Sequence, residues 1–190
     1  MKISACFAKR RTHGFTLVEL LVVIAIIAIL AAVVILIINP LELTRRGRDS
    51  NRITDMTSLR DAINVAVQEA TNSGAAVLCA NTGTYPCNGN SVTDSRAVTG
   101  LGWVRVNLSA SAQAVSIPTL PRDPVNSSGA AGYHYAYCAN NDTWEINTRF
   151  ESQKYRVTDD IDGNDGGDDL NLYENGSAFG LIGFVSGCTY

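Results

Sequence analysis

Nineteen consecutive apolar residues run from Leu20 to Ile38, and Phe15, Leu17 and Val18 extend the block toward the N-terminus. That is long enough for a helix to span the hydrocarbon of a bilayer. Asn39-Pro40 interrupts the pattern, because proline lacks an amide donor and biases the residue before it toward extended backbone. A kink or a locally melted turn is expected there. From Leu41 to about Thr71 the rhythm changes. Ile53, Met56, Leu59, Ile63, Val67 and Ala70 recur at three- and four-residue steps, one apolar face of an amphipathic helix. If Phe15 to Asn72 were all helical, the segment would measure about 87 Å.

Asn72-Ser73-Gly74 punctuates the end of this helix, and beyond it Gly, Asn, Ser and Thr become frequent. Candidate strands are Trp103 to Leu108, Tyr133 to Cys138, Thr143 to Phe150 and Phe179 to Val185. The second and third read as a hairpin around Ala139-Asn140-Asn141-Asp142. Tyr133, Tyr135 and Tyr137 alternate on one strand, and Trp144, Ile146, Thr148 and Phe150 on the other. Alternating aromatics of this kind are read as cross-strand packing. The fold expected is α+β: a long N-terminal helix, half membrane-spanning and half amphipathic, packed on a small antiparallel β-sheet head. The divisions are 1–14, a cytoplasmic leader; 15–39, the spanning helix; 40–72, its amphipathic outer half; and 73–190, an extracytoplasmic globular head.

The formal charge of −3 hides an asymmetry. Lys2, Lys9, Arg10 and Arg11 precede Phe15 with no acidic residue among them, which leaves eleven basic residues against eighteen acidic in the remainder. A head this acidic is a poor general nucleic-acid binder, because such binding depends on neutralising phosphates. The basic leader sets the N-terminus in the cytoplasm and the head outside, with Arg45, Arg46 and Arg48 pulling weakly the other way. A cleaved secretory signal has a shorter apolar stretch ending in an A-x-A site, and none follows this one. Glu19 does not suit a plain anchor, since a carboxylate inside a membrane segment costs about 2.5–3.5 kcal/mol at the bilayer centre and less near the edge.

Gly14-Phe15-Thr16-Leu17-Val18-Glu19, between the basic leader and the apolar run, resembles the processing site of type IV prepilins and type II secretion pseudopilins. The resemblance implies cleavage by a membrane prepilin peptidase between Gly14 and Phe15, and N-methylation of Phe15. It implies filament assembly in which Glu19 pairs with the Phe15 amine of a neighbouring subunit, both charges being neutralised in a low dielectric. The partners implied are other copies of the chain, minor pilins, an assembly platform protein, an ATPase and membrane lipid. Arg45-Arg46-Gly47-Arg48-Asp49-Ser50-Asn51-Arg52 and Thr54-Asp55 partly resemble the post-membrane helix of some bacterial pilins, with Gly47 where alanine recurs. Arg45, Arg48 and Arg52 fall on one side of the helix. They are read equally as contacts to neighbouring acidic surfaces or lipid phosphates and as a solvated face. Leu120-Pro121-Arg122-Asp123-Pro124, then Gly132-Tyr133-His134-Tyr135 and Trp144 to Glu151, resemble loop and hairpin elements of major pseudopilins.

Enzymatic readings find no support: no G-x-S-x-G, H-E-x-x-H or P-loop motif occurs. His134 sits in an aromatic strand, where a structural role is expected. The rival to a filament subunit is a monomeric membrane-anchored adhesin or ligand-binding protein, which does not need the combination of Gly14, Phe15 and Glu19. Cys6 leaves with the leader, so Cys79, Cys87, Cys138 and Cys188 remain, an even number that allows three connectivities. Cys79–Cys87 and Cys138–Cys188 is the preferred pairing, one closing a short loop and the other tying down the tail. Six aspartates crowd Asp159 to Asp169, where mutual repulsion and flexible glycines suit a Ca2+ ion. Asp160, Asp162, Asn164, Asp165 and Asp168 are the expected ligands. The stretch is no EF-hand, since Asp165 stands where glycine is required and Asn171 where the bidentate glutamate belongs. A calcium loop late in the head is also what the likeness to major pseudopilins implies.

Overall fold

The computed structural model describes residues 14–109, 117–129, 131–183 and 188 of the 190-residue chain. The leader before Gly14 lies outside them, as do the last two residues of the expected strand Phe179 to Val185. Two compact units emerge, Met1–Pro40 and Leu41–Tyr190, so the amphipathic half of the N-terminal helix belongs with the head.

In the first unit α1 spans Leu17–Ile38. Its apolar window Leu17–Ile35 is exposed throughout, as a membrane segment seen without its membrane should be. Asn39 ends it in the left-handed region at φ 44°, a conformation asparagine tolerates better than most residues. α2 then covers Pro40–Glu69, with proline at its first position, where the missing N–H costs no helical hydrogen bond.

In the second unit the inward face of α2 carries Met56, Leu59, Ala62 and Ile63, and these pack with Trp103, Tyr135, Tyr137, Trp144 and Ile146 in the main core. The sequence stripe is right at its centre and wrong at its far end. Val67 is 40% exposed. A short α3, Gly74–Leu78, follows. The sheet is β1 (Cys87–Asn90), β2 (Ala136–Asn140), β3 (Thr143–Thr148) and β4 (Tyr173–Gly176), in that spatial order and antiparallel throughout.

The hairpin expected from the sequence forms as β2–β3 with shifted bounds: β2 starts at Ala136 rather than Tyr133 and runs on to Asn140, β3 ends at Thr148 rather than Phe150, and the turn shrinks to Asn141-Asp142. Asn141 and Asp142 both have positive φ (48° and 64°), as the type I′ turn demands of a two-residue loop. Three strand readings change. Trp103 to Leu108 is not a strand. Its polar backbone atoms go to separate loops, Trp103 N to Ser95 O, Leu108 N to Val98 O, and Arg105 O to Ala80 N. Residues 179–183 are bends and a turn, while the fourth strand lies earlier, at Tyr173–Gly176. β1 carries Cys-Asn-Gly-Asn, with no β-branched or aromatic residue to announce it. Gly89 is needed there, because a Cβ would lie 2.3 Å from the Trp103 carbonyl oxygen.

Both faces of the sheet are covered. Tyr135, Tyr137 and Ala139 face the α2 side, whereas Ala136 and Cys138 face a second cluster with Leu181, Ile182 and Cys188 from the tail. Disulfides join Cys79 to Cys87 and Cys138 to Cys188, one on each face.

Candidate functional site

Gly14 and Phe15 stand in non-helical backbone ahead of α1, both exposed, so the bond between them lies outside the helix. Thr16 is the N-cap. Its hydroxyl accepts from Glu19 N at 3.2 Å, and Glu19 Oε2 accepts from Thr16 N at 2.9 Å and from the Thr16 hydroxyl at 2.8 Å. This reciprocal capping box satisfies two helix-terminal donors and holds the Glu19 carboxylate within one turn of its own chain. The Thr-x-x-Glu spacing that signals it was present in the sequence, and it gives Thr16 a role that the processing motif alone did not.

In the second unit Arg48 and Arg52 of α2 turn into the head rather than forming a solvated row. Arg52 is fully buried. It donates through Nε and Nη2 to the two oxygens of Asp123, at 2.6 and 2.9 Å, and through Nη1 to Asp49 at 2.6 Å, with Glu151 Oε1 at 2.7 Å. Arg48 grips both oxygens of Glu151 at 2.8 and 2.6 Å. The carboxylates in turn order backbone. Asp49 accepts from Glu151 N and Ser152 N, and Asp123 Oδ1 from Val125 N and Asn126 N. Burial alone would push the Arg52 guanidinium down, but its bonds to Asp123, Asp49 and Glu151 outweigh that and hold it above its ordinary value. Its ring neighbour is Tyr133, 5.2 Å from the guanidinium carbon to the ring centroid. Arg45 stays outside the network, 4.0 Å from Glu42. Sequence reading placed Arg48 and Arg52 on one face but missed their distant partners, Glu151 and Asp123, 103 and 71 residues away.

The acidic loop is ordered by its own hydrogen bonds. Asp165 accepts from Gly167 N and, at 2.6 Å, from Glu174 N; Asp160 accepts from the Asn164 side chain; Asp168 is exposed. Asp162 is buried, 3.5 Å from Arg156 Nε. Among the described residues no three His, Cys, Asp or Glu side chains converge as a metal site. Of the five expected ligands, Asp160 and Asn164 bond to each other, Asp165 bonds to the backbone of Gly167 and Glu174, and Asp162 lies beside Arg156.

Behind the loop lie two buried carboxyls that the sequence did not single out, Glu145 on β3 and Glu174 on β4. Glu145 Oε2 accepts from Leu181 N and Ile182 N, and Glu174 Oε2 from Asp169 N. Burial raises the Glu145 carboxyl. Burial, then contact with Glu145, pushes Glu174 up to about 8. A raised carboxyl stabilises the fold fully below its ordinary value near 4.5, and that contribution is lost as pH rises through about 8. The full chain in detergent should therefore melt lower at pH 8 than at pH 6, by up to about tenfold in the folding equilibrium per pH unit, and change little further above about 8. Glu174→Gln should flatten that slope; an unchanged slope would assign the dependence elsewhere.

Residues 9–35 match a family model described as the prokaryotic N-terminal methylation motif. This is the prepilin-type signal of type IV pilins and pseudopilins, and its residues 17–35 lie on the capped apolar helix just described. It supports a pilin-like or pseudopilin precursor processed at its N-terminus, a structural subunit rather than an enzyme. No curated protein and no solved structure matches the chain.

Proposed function

We propose that the chain is a structural subunit of a type IV pilus-like or pseudopilus filament, cut by prepilin peptidase between Gly14 and Phe15, methylated on Phe15 and polymerised through its N-terminal helix. The observation that carries this reading is the methylation motif over residues 9–35 coinciding with an exposed apolar helix that bears a carboxylate at Glu19. Lipid covers that helix before assembly, and other copies and minor pilins cover it afterwards. The N-terminus starts in the cytoplasm, with the head on the outer side. Cleavage turns the Phe15 nitrogen into a cation. Glu19 of a neighbouring copy is its partner in low dielectric, once the carboxylate has exchanged the Thr16 capping box for the ion pair. An assembly platform protein and a separate ATPase supply position and power.

Intact-mass measurement of protein from cells tests the processing. The expected mature chain begins at methylated Phe15, and a chain retaining Met1 to Gly14 defeats the reading. Glu19→Ala should leave cleavage intact and remove most filaments seen by electron microscopy. Normal filament yield from that variant would exclude Glu19 as the assembly group. We propose calcium binding in the acidic loop, at carboxylates of which Asp160 and Asp165 already accept hydrogen bonds but keep free lone pairs. A rise in melting temperature of the full chain in millimolar calcium is the result such a site must give.

A further inference from the structure

An open cleft of about 260 Å3 lies at the C-terminal end of α2. Its lining is mostly small and apolar: Ala66 and Ala70 after the last turns of α2, Val77 of α3 and Ala80 beyond it, and Val106. Glu69 stands at the edge, exposed. α2 carries no basic residue in its last turn, so the Glu69 carboxylate adds to the negative end of the helix. The first turns of the same helix are the converse. Leu41 and Leu43 are exposed, and the side chains of Arg45 and Arg46 are 39% and 43% exposed. Both arginines reach Glu42, at 4.0 and 3.4 Å, so two guanidiniums share one carboxylate and a positive charge is left over. Val157 and Leu170 are exposed apolar side chains as well, but Asp159, Asp160, Asp168 and Asp169 flank them, and a cleft edged by a carboxylate repels such a surface.

We infer that the cleft receives the first turns of α2 of a second copy. Leu41 and Leu43 enter against the alanines and valines, where the small lining leaves room for branched side chains. Arg45 and Arg46 meet Glu69 and the carbonyls that the last turn of a helix leaves without partners. This contact between heads rests on the filament reading proposed above. From Arg45 to Glu69 the helix rises about 36 Å, so a copy cannot fill its own cleft with its own first turns. Met56, Leu59 and Ile63 fix the middle of α2 in the core and so hold the two ends at that spacing. Surfaces at opposite ends of one element make the contact heterologous. Each docked copy leaves one cleft and one helix start unfilled, and the series stays open unless the rotation between copies closes a ring. Apolar contact supplies the area, and the charges set which end meets which.

Filaments sheared from cells and counted by electron microscopy read the contact. Glu69→Arg in one strain, and Arg45→Glu with Arg46→Glu in another, should each lower the yield roughly tenfold or more, because like charges then face each other. Co-expression of the two variant chains should restore the yield to within about threefold, since each end then finds its opposite on the other chain. Loss without that recovery, or wild-type yield from either variant alone, would overturn the docking and leave the filament reading standing. Melting of each full chain in detergent separates lost docking from lost folding, and the temperature should stay near the wild-type value for these solvent-facing side chains. A second measurement keeps every charge in place. A photo-crosslinking side chain at Ala76, inside the cleft, should join to the segment Leu41 to Arg46 of another copy, in filaments or in membranes. Capture of lipid, of a different protein or of another segment of the chain, or no capture, would overturn the proposal. Should wild-type cells make no filaments while this crosslink forms, the filament reading falls and the docking of copies stands.

Discussion

Arg52→Ala is expected to destabilise the second unit by about 3–5 kcal/mol, because it leaves Asp49, Asp123 and Glu151 without the cation they surround. Asp49 and Asp123 are buried, so water does not replace the guanidinium. The loss would not stay local. Asp123 positions the backbone of Val125 and Asn126, and Asp49 that of Glu151 and Ser152, so two loops lose their anchor on α2. Urea unfolding of the full chain in detergent measures the effect. A double cycle with Asp123→Ala should show strong non-additivity, since the two residues share two hydrogen bonds. A loss under ~1 kcal/mol, or additive effects, would mean that the network is not an energetic unit. Arg52→Lys should recover only part of the loss, because a lysine cannot reproduce the forked contact to Asp123.

Removing Cys138–Cys188 by replacing both cysteines with serine should cost about 4 kcal/mol, and removing Cys79–Cys87 in the same way about 2.6 kcal/mol, by the loop-closure argument. The difference comes from sequence separation, 50 residues against 8, since the longer loop restricts the unfolded chain more. The two losses should also look different. Without the long-loop bond the tail is held mainly by Leu181, Ile182 and their N–H groups on Glu145, so protease should reach it while the α2 face remains closed. Without the short-loop bond, β1 loses its tie to the segment after α3, and the damage should begin at Cys87–Asn90. Paired unfolding curves with limited proteolysis separate these outcomes. Equal losses for the two removals would count against the chain-entropy account.

Much of this was readable from one dimension because its causes are local. Composition alone makes Leu17–Ile38 an apolar helix long enough to cross a membrane, and the Thr-x-x-Glu spacing caps it. Proline at residue 40 divides the two helices, and Asn141-Asp142 provides the positive φ values that turn the β2–β3 hairpin. Met56, Leu59 and Ile63 announce the core face of α2 by their period. Tertiary structure decided what depends on distant partners. Arg48 and Arg52 look like surface charge on a helical wheel, and only folding brings Asp123 and Glu151 to them. Glu145 occupies an alternate position of a strand that reads as half-exposed, yet Leu181 N and Ile182 N close on its carboxylate and it is buried. β1 has no strand-forming composition; it is a strand because Cys79 ties it, β2 pairs with it and Gly89 lets Trp103 approach. Local propensity fixes a residue's own backbone, whereas burial and charge pairing are set by whatever the chain brings back from far along its length.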